Sequence, residues 1–242
     1  MTESRPAFYA LAPGGWRDYV TLLHPPYTLW HLSYVAIGAS LAPRFRGGLM
    51  ALTALAFFLG LGIGAHALDE LRGRPLQTRI PTPLLTGLAV STIAAATGIG
   101  IAVAIARDLW LLPFVAFGAF IAFAYNLELF GGRFHTAAWF ALAWGAFPLL
   151  TAYFASSGKL TAEVALAGTF AALLSHVQRI LSTPVREVRR RVVAVSGTVV
   201  RADGSTRPID AEALIGAPEQ ALRVLAAAVV ALASALVTLR VT

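Results

Sequence analysis

The stretch Gly60-Leu-Gly-Ile-Gly-Ala-His66-Ala-Leu-Asp69-Glu70-Leu-Arg72-Gly-Arg74-Pro75-Leu-Gln77-Thr78-Arg79-Ile-Pro81 passes from a glycine-rich apolar run to a short loop dense in polar and basic groups. Its first half reads as the end of a membrane helix and its second as the turn that leaves it. His66 and Glu70 are four apart, so a helix presents them on one face, with Asp69 beside them. Ionisable side chains at a membrane helix are costly, which marks this place as a functional site. The glycines at 60, 62 and 64, like Gly98 and Gly100, lie inside apolar runs and not at a strand-to-helix turn. They read as close helix contacts, not as nucleotide loops.

The rest of the 242-residue chain has the same character. It is 57% hydrophobic and only 13% charged, with a mean hydropathy of +0.71, whereas roughly a quarter of a soluble domain is charged. These values predict an integral membrane protein of the all-α class, a polytopic helix bundle. No cysteine is present, which excludes disulfides, thiolate metal sites and a thiol nucleophile. Residues 1–17 carry Arg5, Arg17 and two prolines without a short apolar core, so no cleaved leader is expected. Apolar runs of about the ~20 residues that cross a bilayer predict seven spans, at about 27–43, 49–70, 83–106, 109–130, 134–155, 160–182 and 218–239. Residues 1–182 thus form a six-span core, 183–217 a basic loop and 218–242 the last helix. Within the loop, a β-branched run from Val192 to Val200 and the Asp203-Gly204 pair predict a small β-hairpin, with a loop of no fixed structure as the alternative.

The net charge of +7 matters through its placement. With the N-terminus cytoplasmic, thirteen arginines fall on the inner side (5, 17, 72, 74, 79, 133, 179, 186, 189, 190, 191, 201 and 207). The outer side then holds Arg44, Arg46, Arg107, Lys159 and Arg240. The positive-inside rule predicts an N-terminus inside and a C-terminus outside. Nucleic acid is not an expected partner.

That topology gathers all five histidines (24, 31, 66, 135 and 176), with Glu70 and Glu128, in the inner half. Three chemistries fit. Anion binding would draw on Arg72, Arg74, Arg79, Arg133 and Arg179, with Arg186, through bidentate guanidinium contacts; a basic rim that only serves topology and anionic lipid is the plainer reading. Tyr125, Asn126 and Gln178 would add polar contacts to the substrate. A transition-metal site would draw on His66, Glu70, Glu128, His135 and His176, with iron, zinc or manganese as the ion. The same five could act as acids and bases beside a bound lipid, or serve as hydrogen-bonded interior groups.

Several of these segments resemble the UbiA-type superfamily of intramembrane prenyltransferases. His24-Pro-Pro-Tyr-Thr-Leu is similar to the family's basic-residue–Pro opening. His66 and Arg79 keep the spacing between the Asn of the family's first Asp-rich motif and a following Arg, with Glu70 at one Asp position. Tyr125-Asn-Leu-Glu128 through Trp144-Gly-Ala-Phe-Pro148 resembles the family's Tyr-x-x-x-Lys loop and the span after it. Ser175-His176-Val-Gln178-Arg179 occupies the place of the second Asp-rich motif. The resemblance implies a bundle around a cavity open sideways to lipid, an isoprenoid diphosphate held through magnesium, and prenyl transfer. Ala67 and Arg74 stand at two of the acidic positions and the second motif has no carboxylate, so the usual pair of magnesium ions lacks its ligands. The expectation is therefore a UbiA-like enzyme acting at the cytoplasmic face on an isoprenoid or other lipid-soluble substrate, by non-typical prenyl transfer. The alternatives are a His/Glu transition-metal enzyme acting on a lipid or quinone, and a non-catalytic lipid-binding or partner subunit. Members of the family usually have nine spans, so a second copy or a partner subunit is expected to complete seven.

Overall fold

The computed structural model describes residues 5–242. Its helices are α1 (Trp16–Leu22), α2 (Pro25–Leu41), α3 (Gly47–Leu71), α4 (Thr82–Arg107), α5 (Leu109–Asn126), α6 (Ala137–Ser157), α7 (Ala162–Arg191) and α8 (Ala211–Val241). The six from α3 to α8 are each long and apolar enough to cross a membrane, so the chain is an all-α bundle of an integral membrane protein. α2, placed by the sequence reading among seven spans, is seventeen residues long and is not one of these six.

α2 is the axis of the bundle. Trp30, Tyr34 and Ile37 pack against Leu149 and Tyr153 of α6, Val164 and Ala171 of α7, and Ala226, Val229 and Ala233 of α8. A helix apolar on every side belongs in the interior, and ten of its residues are buried. Gly38 makes the closest crossing possible: a β-carbon there would overlap the Leu149 carbonyl. The Trp30 indole donates to the Tyr34 hydroxyl at 2.6 Å, which satisfies a polar group deep in the core. α4 and α8 turn most of their surface outward, as helices facing lipid do.

The glycine prediction holds in part. A β-carbon at Gly64 would lie 2.6 Å from Ile93 of α4, and one at Gly100 2.7 Å from Val115 of α5, whereas Gly98 has open space around it. α3 and α6 each contain a π-helical segment, at Phe58–Ala65 and Ala141–Ala146. α7 continues nine residues beyond the predicted span, through Pro184 to Arg191. The hairpin forms as β1 (Thr198–Val200) and β2 (Thr206–Pro208), paired antiparallel. Gly204 at φ +81° turns it, and the Arg201 N–H donates to the Ser205 carbonyl at 2.8 Å.

The two ends of the bundle differ. At one, Arg240 of α8 donates to the carbonyls of Ser40 (2.7 Å) and Ala42 (3.1 Å) and so ties the last turn of α8 to the end of α2. At the other, Arg189 of α7 forms an ion pair with Glu219 of α8, and the 72–81 and 127–136 connections meet. Among the described residues, the five non-glycine residues with positive φ (His24, Arg74, Gln77, Glu128 and Phe130) all lie at this second end. Strained backbone of this kind collects at functional sites.

A polar chamber beside an apolar one

The organising loop is held by two buried carboxylates. Glu70, with no exposed surface, accepts from the Leu76 N–H (2.9 Å), the Thr78 N–H (2.9 Å) and the Thr78 hydroxyl (2.8 Å). Asp18 of α1 accepts from the Arg79 N–H at 2.9 Å and the Gly14 N–H at 2.9 Å. Arg74 bonds back to the Ile80 carbonyl at 2.5 Å and to the Thr82 hydroxyl at 2.8 Å. Buried backbone donors need such partners. Glu70 and Arg74 therefore shape the loop and do not face a substrate.

Above this loop lies a polar chamber of about 110 Å³. Its walls are Tyr9 from the N-terminal segment, His24, Tyr27 and His31 at the start of α2, and His66 and Asp69 on α3. Tyr125 and Asn126 on α5, His135, and Trp144 on α6 continue the wall, and Gln178, Arg179, Ser182, Arg186 and Arg190 of α7 complete it. Three of the histidines are oriented by backbone. His31 Nδ1 faces the Trp144 carbonyl at 2.7 Å, His66 Nδ1 the Gly62 carbonyl at 3.0 Å, and His135 Nδ1 the Tyr125 carbonyl at 3.0 Å. A carbonyl only accepts, so Nδ1 carries the proton in each neutral ring and Nε2 is left as an acceptor. Gly62 and Trp144 belong to the two π segments, where the changed hydrogen-bond register frees a carbonyl. The helix irregularities and the histidines form one construction.

His24 is the exception in chemistry. Its ring stacks on His66 with centroids 4.0 Å apart, and its Nδ1 lies 2.8 Å from the Tyr9 hydroxyl. Burial, with Tyr27 beside it, pushes the Tyr9 phenol well above its ordinary value, so it stays protonated near neutral pH. Burial, then the neighbouring His66 and Arg190, holds the His24 imidazole well below its usual range. With the phenol donating to Nδ1, the neutral ring carries its proton on Nε2, which is buried without a partner. The amide oxygen of Gln178, a side chain only 3% exposed, is likewise unpartnered. Arg179 donates to the Tyr125 hydroxyl and lies over the Phe140 ring at 5.6 Å.

Of the expected site residues, His66, Tyr125, Asn126, His135, Gln178 and Arg179 line this chamber. Glu70 and Arg74 are bound into the loop. Arg72 and Glu128 pair with each other at 3.1 Å on the surface. Arg79 and Arg133 are exposed, and His176 is not part of the lining. Among the described residues, no three His, Asp or Glu side chains are placed to share a metal ion. The expected set of His66, Glu70, Glu128, His135 and His176 is not brought together, because Glu70 and Glu128 are engaged elsewhere. Sequence reasoning left Tyr9, His24, Tyr27, His31, Asp69 and Arg190 off the site, whereas Arg186, named with the anion-binding arginines, does line the chamber. The signal for Asp69 was present, since a residue three after His66 shares its face as a residue four after it does.

A second cavity, of about 130 Å³, runs between α3, α4, α5 and α6. Apolar side chains such as Leu61, Ile93, Phe114 and Phe147 line it, and Thr53, Thr97 and Thr151 are its only hydroxyls. Among the described residues, Trp144 alone lines both cavities. Its ring lies 4.4 Å from Tyr125 and 5.7 Å from Phe140. No protein-family model matches the chain, and no curated protein or solved structure is detectably similar to it.

Proposed function

We propose that this protein is a UbiA-like intramembrane enzyme acting on an isoprenoid or similar lipid-soluble substrate with a polar, anionic head. One observation carries the reading: Trp144 lines both cavities, which sets an apolar space for a tail beside a polar space for a head. Arg179, Arg186 and Arg190 are the donors for an anionic head, since guanidinium forks bond oxyanions strongly. The Nε2 atoms of His31, His66 and His135 are the acceptors for a proton leaving the substrate, and His24 Nε2–H is a donor.

The pair of magnesium ions that the resemblance implies does not fit these residues. Among the described residues, Asp69 is the only carboxylate on the polar chamber's wall, Glu70 is closed within its loop, and hard divalent cations need several oxygen ligands. The head group is therefore held by arginine.

The same reading makes α2 a seventh crossing. It begins at the chamber and ends beside Arg240, and at 1.5 Å per residue its seventeen residues reach about 25 Å. The chamber then faces the cytoplasm, as the distribution of arginine requires.

Mass spectrometry of the purified protein tests the function. About one equivalent of a polar-headed lipid is expected, without stoichiometric metal. Arg179→Ala and Arg186→Ala should each lower lipid retention about tenfold, the loss of a charge-assisted hydrogen bond. Absence of bound lipid, or retention unaffected by both changes, would sink the proposal.

A further inference from the structure

The polar chamber is closed on the side away from the apolar cavity by a piece of chain with no regular structure. Pro6, Ala7, Phe8 and Tyr9 lie across it. Few contacts hold them. Arg190 Nε donates to the Pro6 carbonyl at 3.2 Å and Arg189 to the Arg5 carbonyl at 3.4 Å. Tyr9 meets His24 at 2.8 Å, Phe8 sits under the Arg223 guanidinium at 4.8 Å, Ala7, Ala10 and Tyr9 pack against Leu76, and the Phe8 and Tyr9 rings lie 6.3 and 5.5 Å from Tyr27. The next residues are fixed differently. The Leu11 N–H donates to the Thr21 hydroxyl at 3.0 Å, and Gly14 and α1 are tied through buried Asp18 to the Arg79 backbone.

A short irregular segment held by these contacts and a handful of hydrogen bonds opens at lower cost than the helices beneath it. One of its latches, Arg190, is also one of the chamber's own cations. When residues 5–10 lift, Arg190 loses the carbonyl it holds and turns free toward the opening beside Arg186.

We propose that residues 5–10 are a movable roof, latched to α7 by Arg189 and Arg190, whose lifting opens the polar chamber to water for a soluble anionic reactant or product. The lipid-soluble partner comes from the other side, where the apolar cavity lies beside the chamber with Trp144 on the wall of both. The roof stands on its own geometry, whatever lipid the apolar cavity takes.

The cysteine-free chain allows a direct test. Ser182, 7% exposed, lines the chamber and is changed to cysteine. Ser205→Cys on the exposed hairpin turn serves as the open reference and Thr97→Cys reports on the apolar cavity. Modification rates are measured in detergent with 2-sulfonatoethyl and 2-trimethylammonioethyl methanethiosulfonate. Ser182→Cys should react much more slowly than Ser205→Cys. Adding Phe8→Ala or Arg190→Gln should speed it about tenfold, the equivalent of one lost contact, and leave Thr97→Cys unchanged. In the opened Phe8→Ala protein, the sulfonate reagent should gain more than the cationic one when each is normalised to Ser205→Cys. The proposal is overturned if Ser182→Cys already reacts like Ser205→Cys, if neither roof change accelerates it, if Thr97→Cys accelerates in parallel, or if the cationic reagent gains more. These rates require no substrate, so they stand apart from the lipid measurement.

Discussion

Glu70 carries no exposed surface, and all its hydrogen bonding goes to the loop that follows it. The sequence placed it beside His66 on a helix face and assigned it chemistry; the structure gives His66 and Asp69 to the chamber and Glu70 to the backbone of Leu76 and Thr78. Spacing shows which residues share a face, but not whether a following loop folds back to claim one of them. Glu70→Ala should leave three buried donors without an acceptor and cost about 3 kcal/mol, at the level of one to three per group. The check is a lowered thermal unfolding midpoint in detergent together with loss of bound lipid. His66→Ala should keep the midpoint. If Glu70→Ala unfolds like the parent protein, the carboxylate does not hold the loop. His24 was legible only as a histidine near a helix start, because its partner Tyr9 lies fifteen residues away in sequence on irregular chain.

At the scale of elements, α2 to α6 fell within a few residues of their predicted places because a bilayer-length apolar run leaves few alternatives, whereas α7 ends nine residues late and α8 begins seven residues early, inside the predicted loop. What the pattern could not show was irregularity inside them. In spans apolar on all sides, a π turn changes no visible periodicity, so the carbonyls that orient His31 and His66 had no sequence signature. α7 misled for a related reason. The arginines after Ser182 read as a basic loop, yet a helix leaving the membrane can carry charge into water, and these turns bring Arg186 and Arg190 to the chamber. The close crossings are testable by contrast. Gly38→Ala should lower the unfolding midpoint by the equivalent of about 1–3 kcal/mol, the usual range for overpacking. Gly98→Ala, with nothing near it, should match or slightly exceed the parent protein because alanine favours helix. Equal midpoints for the two would mean that α2 and α6 are not in contact at Gly38.

For the whole molecule, the proposed seven crossings put the two ends of the chain on opposite sides of the membrane. Reporter fusions in a bacterial host decide the matter. A phosphatase joined after Thr242 should be active and a fluorescent protein there dark, with the reverse for fusions at the N-terminus. Activity of the same reporter at both ends would leave α2 as a buried helix that does not cross.

The contacts of Arg240 with Ser40 and Ala42 join residues about two hundred positions apart, and those of Arg189 and Arg190 with Arg5 and Pro6 span 184. A ribosome makes α2 early and α7 and α8 late. Until α8 emerges, the carbonyls of Ser40 and Ala42 lack Arg240, and until α7 emerges residues 5 and 6 lack Arg189 and Arg190. Long-range contacts of this kind form last and are exposed longest during synthesis. The polar chamber is thus finished only when the rest of the bundle is already in the membrane, so a nascent chain stalled before α7 would carry histidines and tyrosines open to water.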